Sequence, residues 1–294
     1  MDNVNLPLVS IVVLTYNSSK TIIATLDSLK KQTYHNLELI IADDESKDDT
    51  VLICKKWLDA NQERFQNTKI ITVEKNTGTA GNCNRGCKEA TGEWIKFIAG
   101  DDEMTDDGIE KLVDFATSDS SYEIVSGKVE IFGVKSQNYD DDVWNYYQKL
   151  HRVFDSPHEQ HWYLERNNFI AAMAVLMKKS LWEKVGGFDE DIPLLEDWPM
   201  WLKVTGAGVM IHFFDGIVAR YRLSSDSVRA KYKFQYSVRL FQYKYIYKDE
   251  VKYKCLQNMK FLKNKSIISS IVYRIIARDI KNRESLWQMK RNMR

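Results

Sequence analysis

Four short β-branched runs in the first hundred residues constrain this chain more than any other feature. Each is followed by a stretch with helical spacing, and three end in polar clusters. LVSIVVLT, residues 8–15, has the composition of a strand buried on both faces. Tyr16-Asn17-Ser18-Ser19 follows as a polar loop and helix cap, and residues 20–31 set Ile22, Ile23, Leu26 and Leu29 on one helical face. A second strand is expected at 37–42, running into Asp43-Asp44-Glu45-Ser46, and Asp49 opens a second helix. A third strand is expected at 69–73, then a Gly/Asn-rich loop at 76–86 leading into a helix to Ala90. The fourth strand, 93–99, stops at Gly100-Asp101-Asp102. This β-α-β-α-β-α-β order predicts an α/β fold, a mostly parallel sheet flanked by helices.

Downstream the expected elements are a helix at 106–117, a strand or hairpin at 122–134 and a strand at 171–177. A short helix at 180–185 is stopped by Gly186-Gly187. A helix at 196–204 and strands at 209–214 and 217–221 complete the body. Residues 136–168, rich in aromatics and charges with weak periodicity, read as an insertion or lid. From about Tyr232 the sequence is helical, basic and aromatic. Ile267, Ile268, Ile271, Val272, Ile275 and Ile276 have the spacing of an amphipathic helix. The expected division is 1–228, with halves 1–105 and 106–228, followed by a basic helical extension, 229–294.

The formal charge of +1 hides an asymmetry. Residues 228–294 hold 18 Lys+Arg against 4 Asp+Glu, leaving 24 against 37 for the rest. A basic tail on an acidic body points to an anionic surface, with membrane, nucleic acid or the body itself as candidates. Cys54, Cys83, Cys87 and Cys255 form no Cys-x-x-Cys pair, so free thiols in a reducing compartment are expected rather than a structural zinc. The start has no signal-peptide pattern, and no apolar run approaches the ~20 residues of a spanning helix. The expected location is cytoplasmic, with peripheral membrane contact as a candidate.

Open α/β sheets bind ligands at the carboxyl ends of their strands. Asp101 and Asp102 are hard oxygen ligands suited to a divalent cation, or else cap the next helix. Asp43-Asp44 either caps the helix near Asp49 or joins Thr15-Tyr16-Asn17 in one pocket. Glu196-Asp197 is either an acidic first turn favoured by the helix dipole or a general base facing a cleft. His158 and His161 are one residue short of His-Glu-x-x-His spacing, which excludes that zinc motif. The glycine-rich signatures of dinucleotide enzymes and P-loop NTPases do not occur.

These blocks together resemble family 2 glycosyltransferases. VSIVVLTYNSSKTIIATLDSLKKQTYHNLELIIADDESKDDT (9–50) is similar to that family's start. NTGTAGNCNRG (76–86) and ATGEWIKFIAGDDE (90–103) resemble its next two blocks, and VGGFDEDIPLLEDWPMWLK (185–203) its acceptor-side block. The resemblance implies a Rossmann-like GT-A fold, a nucleotide-diphospho-sugar donor, expected to be a UDP-sugar, and a bound Mn²⁺ or Mg²⁺. By position it implies that Thr15, Tyr16 and Asp44 line the uridine pocket, with Asn17 and Asp43 beside them. It puts Asp101 on the ribose, with Asp102, alongside Asp101, on the metal, and makes Asp197 the catalytic base with Glu196 adjoining. Three positions depart from the family pattern. Ala99 stands where an acid is frequent, Asn82-Cys83 where Ala-Arg is frequent, and Ser224-Ser225 follow Tyr221-Arg222-Leu223 where a His is frequent.

The implied activity is a single inverting displacement onto an acceptor hydroxyl, building a cell-surface polysaccharide on a glycan or lipid-linked glycan. An anionic membrane surface is a candidate partner for 229–294, and no nucleic acid is expected. Two other readings stay open: a sugar-phosphate nucleotidyltransferase and a non-catalytic nucleotide-sugar-binding subunit.

Overall fold

The structure is a computed structural model and describes residues 6–133, 154–165, 168–191 and 196–223. All of these belong to the first of the two units into which the chain divides, Met1–Lys231 and Tyr232–Arg294. The expected extension 229–294, most of the expected lid and the loop 192–195 lie outside the described residues.

Strands β1 (Val9–Thr15), β2 (Leu37–Asp43), β3 (Asn67–Thr72) and β4 (Trp94–Ala99) pair in parallel, in the order β3-β2-β1-β4. Register places Thr15 beside Asp43, Asp43 beside Thr72 and Leu14 beside Ala99, so the strand ends share one edge. Among the described residues the sheet has eight strands and continues from β4 as β7-β6-β8-β5. These are β7 (Val175–Lys178), β6 (Ile124–Gly133), β8 (His212–Leu223) and β5 (Glu103–Met104). β7 is antiparallel to β4 and β6, β8 is parallel to β6, and β5 is antiparallel to β8.

Both faces of the sheet are covered, as the unbroken apolar runs require. Val9, Ile11 and Val13 face a layer made by α1 (Ile22–Lys30), α2 (Thr50–Asn61) and α4 (Gly108–Thr117). Val12, Ile40 and Phe97 face a second layer made by α3 (Gly78–Glu89), α5 (Pro157–Leu164), α6 (Lys179–Lys184) and α7 (Asp197–Gly206). Each fully buried aliphatic side chain in these layers contributes about 1.5–3 kcal/mol. No described helix is long and apolar enough to cross a membrane.

Four elements differ from the sequence expectation, the simplest being residues 172–174, expected as strand, which form a 3-10 helix leading into β7. The Gly/Asn-rich stretch expected as a loop is the helix α3 itself. Its glycines serve close packing: a Cβ on Gly86 would lie 2.2 Å from Val12 Cγ1, so this face touches β1 directly. The two expected late strands are one, β8. Its register against β6 shifts around Lys128, which absorbs the extra residues near Gly216 as a bulge. β5 was not expected, since two residues pairing with a distant strand leave no periodic signal. Gly186 and Gly187 do end α6, at φ of 77° and 69°.

Candidate active site

The turn after β1 and the turn after β2 are stitched together. Thr15 Oγ1 donates to Asp43 Oδ2 at 2.8 Å, and Asp43 also accepts from Ser46 N at 2.9 Å and Ser46 Oγ at 2.5 Å. Asn17, in the left-handed region at φ 52°, donates its N–H to Ser46 Oγ and accepts from Lys47 N, both at 2.8 Å. Thr15 and Asp43 are therefore buried supports, whereas Tyr16 is 51% exposed at the same edge. Its ring is the open apolar surface there, suited to stacking on a base.

Asp44 is 3% exposed and saturated. It accepts from Thr77 N at 3.0 Å, Thr77 Oγ1 at 2.8 Å, Gly78 N at 2.8 Å and Arg85 Nη2 at 2.6 Å. The carboxylate thus caps α3, not the helix at Asp49 as the simpler expectation had it. Asp48 takes the α2 start instead, accepting from Thr50 Oγ1 at 2.5 Å, Thr50 N at 3.0 Å and Ser19 N at 3.1 Å, and these hydrogen bonds outweigh its slight desolvation and hold its carboxyl down at about 2.

Beyond β4, a tight turn at residues 100–102 and the short strand β5 after it lie on α1. Thr21 Oγ1 donates to Gly100 O at 2.7 Å, Thr25 Oγ1 to Asp102 O at 2.7 Å, and Gln32 Nε2 to Thr105 O at 2.7 Å. Ser28 Oγ accepts from Met104 N at 3.1 Å. These four residues recur at helical spacing, so one polar stripe along α1 and the residues flanking it cradles the acidic turn.

Within that turn Asp101 is partly exposed and Asp102 only 2% exposed. Asp102 Oδ1 accepts from Arg222 N at 3.0 Å. Burial pushes both carboxyls above their usual range, and the neighbouring Asp101 charge pushes Asp102 further. Lys96, fully buried, donates Nζ to Met173 O at 2.6 Å and Phe97 O at 2.9 Å, and burial pulls its ammonium down to about 7. Two desolvated acids that repel each other suit a hard divalent cation, which would relieve both. Among the described residues no group of three or more His, Cys, Asp or Glu could hold a metal there, so the remaining positions around a cation would fall to water and to ligand oxygens.

Asp197 opens α7. Its Oδ2 accepts from Asn168 Nδ2 at 2.9 Å and its Oδ1 from Trp198 N at 2.7 Å. Burial, reinforced by the Asp197 charge, raises the Glu196 carboxyl to about 7. Both acids lie within electrostatic reach of Cys83 on α3, whose thiol burial pushes far up. α3 is thus the element between the donor edge and the acid pair. Asn84 on the same helix brackets the preceding loop, accepting from Phe188 N at 2.8 Å and donating to Glu190 Oε1 at 2.7 Å.

Sequence reasoning gave no role to Asn168, Asn84, Lys96 or the polar stripe of α1. A lysine inside a buried strand and polar residues at 21, 25, 28 and 32 were the available signals. Asn168 and Asn84 act across long sequence separations and leave no local signal.

The sequence profile described as "Glycosyl transferase family 2" matches residues 10–184. The chain is 28% identical over 238 residues to the UDP-Glc:alpha-D-GlcNAc-diphosphoundecaprenol beta-1,3-glucosyltransferase WfaP of Escherichia coli, covering 79% of this chain and 83% of that protein. It is 38% identical over 105 residues to the amylovoran biosynthesis glycosyltransferase AmsB of Erwinia amylovora, 35% of this chain and 33% of that one. Among solved structures, the mannosyltransferase PcManGT from Pyrobaculum calidifontis, in complex with GDP-Man and Mn²⁺, aligns with a TM-score of 0.65 at 20% identity, over 80% of this chain and 63% of that one. TarS 1-349 of S. aureus in complex with UDP aligns with a TM-score of 0.58 at 20% identity, over 82% and 66% of the two chains. The fold is the GT-A fold, as the resemblance implied.

Proposed function

The chain belongs to glycosyl transferase family 2 and is a glycosyltransferase, and we propose that it moves a sugar from a UDP-sugar to a hydroxyl of a lipid-linked glycan by one inverting displacement, in cell-surface polysaccharide synthesis. The observation that carries this reading is the shared edge. Thr15 and Asp43 end β1 and β2 at one level, Ala99 ends β4 one residue below, level with Leu14, and Asp101-Asp102 follow after Gly100. The WfaP relative, named for UDP-Glc and a diphosphoundecaprenol-linked acceptor, supports the donor and acceptor classes.

In this proposal Tyr16 stacks on the base. Thr15, Asn17, Asp43 and Asp44 hold the loops that shape its pocket, and Asp101 meets the ribose. Asp102, with Asp101, would hold Mn²⁺ or Mg²⁺, which when bound supplies positive charge for the departing diphosphate. Asp197 takes the proton of the acceptor hydroxyl as that oxygen attacks the anomeric carbon. Asn168 fixes the orientation of that carboxylate, and Glu196 adds negative charge beside it once ionised.

The test is a thermal-shift screen of nucleotide sugars, with and without Mn²⁺, followed by NMR of the product's anomeric configuration. A UDP-sugar should raise Tm, and the product should carry the anomeric configuration opposite to the donor's. Retention of configuration, or stabilisation by no nucleotide sugar, would overturn the reading.

A further inference from the structure

Asp101, Asp102 and Glu103 place three acids in succession at the donor edge, and β8 brings two arginines against them. Arg220 is directed to Glu103 Oε2 at 2.9 Å and Glu130 Oε2 at 3.2 Å. Arg222 is held differently. Its backbone N–H donates to Asp102 Oδ1 at 3.0 Å, its Nε donates to Asp101 O at 2.8 Å, and its Nη2 pairs with Glu103 Oε1 at 2.6 Å. The Phe132 ring centre lies 4.3 Å from the guanidinium carbon. The group is thus fixed in one orientation beside both carboxylates. Its side chain is still 23% exposed, and Nη1 has no partner among the described residues.

A diphosphate arriving at this edge meets the like charge of the aspartates. Ala99 leaves a cation there with two neighbouring carboxylates. Positive charge already fixed in the protein would lower the cost of bringing phosphate in, and a guanidinium keeps its charge and matches phosphate oxygens in pairs.

We propose that Arg222 is a built-in cation for the donor diphosphate, contacting it through the exposed part of its guanidinium, so that a nucleoside diphosphate binds without a divalent metal and the metal adds to that affinity. This rests on the reading of the edge as the donor site.

The test is calorimetric titration of UDP into the full chain, once in EDTA and once in Mn²⁺, for wild type, R222K, R222Q, R222M and R220M. Wild type should bind in EDTA, more weakly than in Mn²⁺. R222M and R222Q should lose about tenfold or more in EDTA and less in Mn²⁺, with R222K recovering much of the loss. R220M, which removes the other partner of Glu103, should bind like wild type. Melting curves check folding, and R222Q decides the matter if R222M fails to fold, because it keeps a polar side chain without the charge. Wild type that binds UDP only with Mn²⁺, or R222Q equal to wild type in EDTA, would overturn the inference and leave the donor site standing. Wild type that binds UDP in neither buffer would overturn both.

Discussion

Glu196 and Asp197 stand side by side at the start of α7, and their different surroundings give them different chemistry. Asp197 is held in place by hydrogen bonds from Asn168 Nδ2 and Trp198 N, which aim its carboxylate. Glu196 is raised by burial to about 7 and is neutral in mild acid. An acid whose folded value lies above its unfolded value stabilises the fold fully below the unfolded value, and this is lost as pH rises through the folded value. Wild-type stability should therefore fall relative to Glu196→Gln between about pH 4.5 and 7, by on the order of 2–3 kcal/mol, measured by urea unfolding at several pH values. Parallel pH profiles for the two proteins would contradict the assignment. Glu38 gives the opposite sign. It is buried at the far edge of the sheet, and four hydrogen bonds, from Ser10 Oγ, Thr91 N, Thr91 Oγ1 and Asn67 Nδ2, hold its carboxyl below the usual range. Its contribution is present above the unfolded value and lost as pH falls through the folded one. Glu38→Gln should be less stable at neutral pH and converge on wild type in acid.

At the scale of elements, the polar stripe of α1 and the capping of α3 fix where the acids stand. Thr25→Val keeps the shape of the helix but leaves Asp102 O without its hydroxyl, at a cost of about 1–3 kcal/mol. The predicted signature is a drop in unfolding midpoint accompanied by weaker UDP binding, since the acidic turn loses its seat. Asp44→Ala removes the cap of α3 and takes from Arg85 its carboxylate partner, leaving it only Thr77 and Asn82, and should cost at least as much. The strands were legible because runs such as Val9–Thr15 and Leu37–Asp43 are apolar on both faces and stop at polar clusters. The shared edge followed from that order, and the register bears it out. The helix ending near Ala90 was expected, but the first part of α3, from Gly78, was hidden because its glycines and asparagines have low helix propensity. Tertiary contacts decide it: the Asp44 cap, Asn82 Nδ2 on Ala42 O at 2.8 Å, and the close approach of Gly86 to β1. The joining of two expected strands into β8, and the pairing of β5 with it, are long-range facts that periodicity does not carry.

At the scale of the whole molecule, one sheet carries both halves of the proposed chemistry. The parallel strands β1, β2 and β4 present the donor edge, and α7 packs on the same sheet, its Trp201 stacked on Phe97 of β4. α3 lies between them, with Asp44 at its start and Asn84 bracketing the loop that leads toward Asp197. A donor that binds the folded state at a hundred times its Kd should stabilise it by about 2.7 kcal/mol. The basic segment 229–294, with 18 Lys+Arg against 4 Asp+Glu in residues 228–294, motivates a further proposal of contact with an anionic membrane. The full chain should sediment with anionic vesicles more than a chain ending at residue 227. Equal partition would remove that proposal.

Sugar transfer with Asp197 as base is the chemistry proposed for this site. The direct measurement is release of UDP from a UDP-sugar in the presence of a lipid-diphosphate-linked acceptor, for wild type and Asp197→Asn, with UDP affinity measured on both. Wild type should turn over, while Asp197→Asn should lose roughly 10²–10⁴-fold in rate at unchanged UDP affinity. Wild-type-like turnover by Asp197→Asn, or pyrophosphate release from UTP and a sugar phosphate in place of transfer, would contradict it.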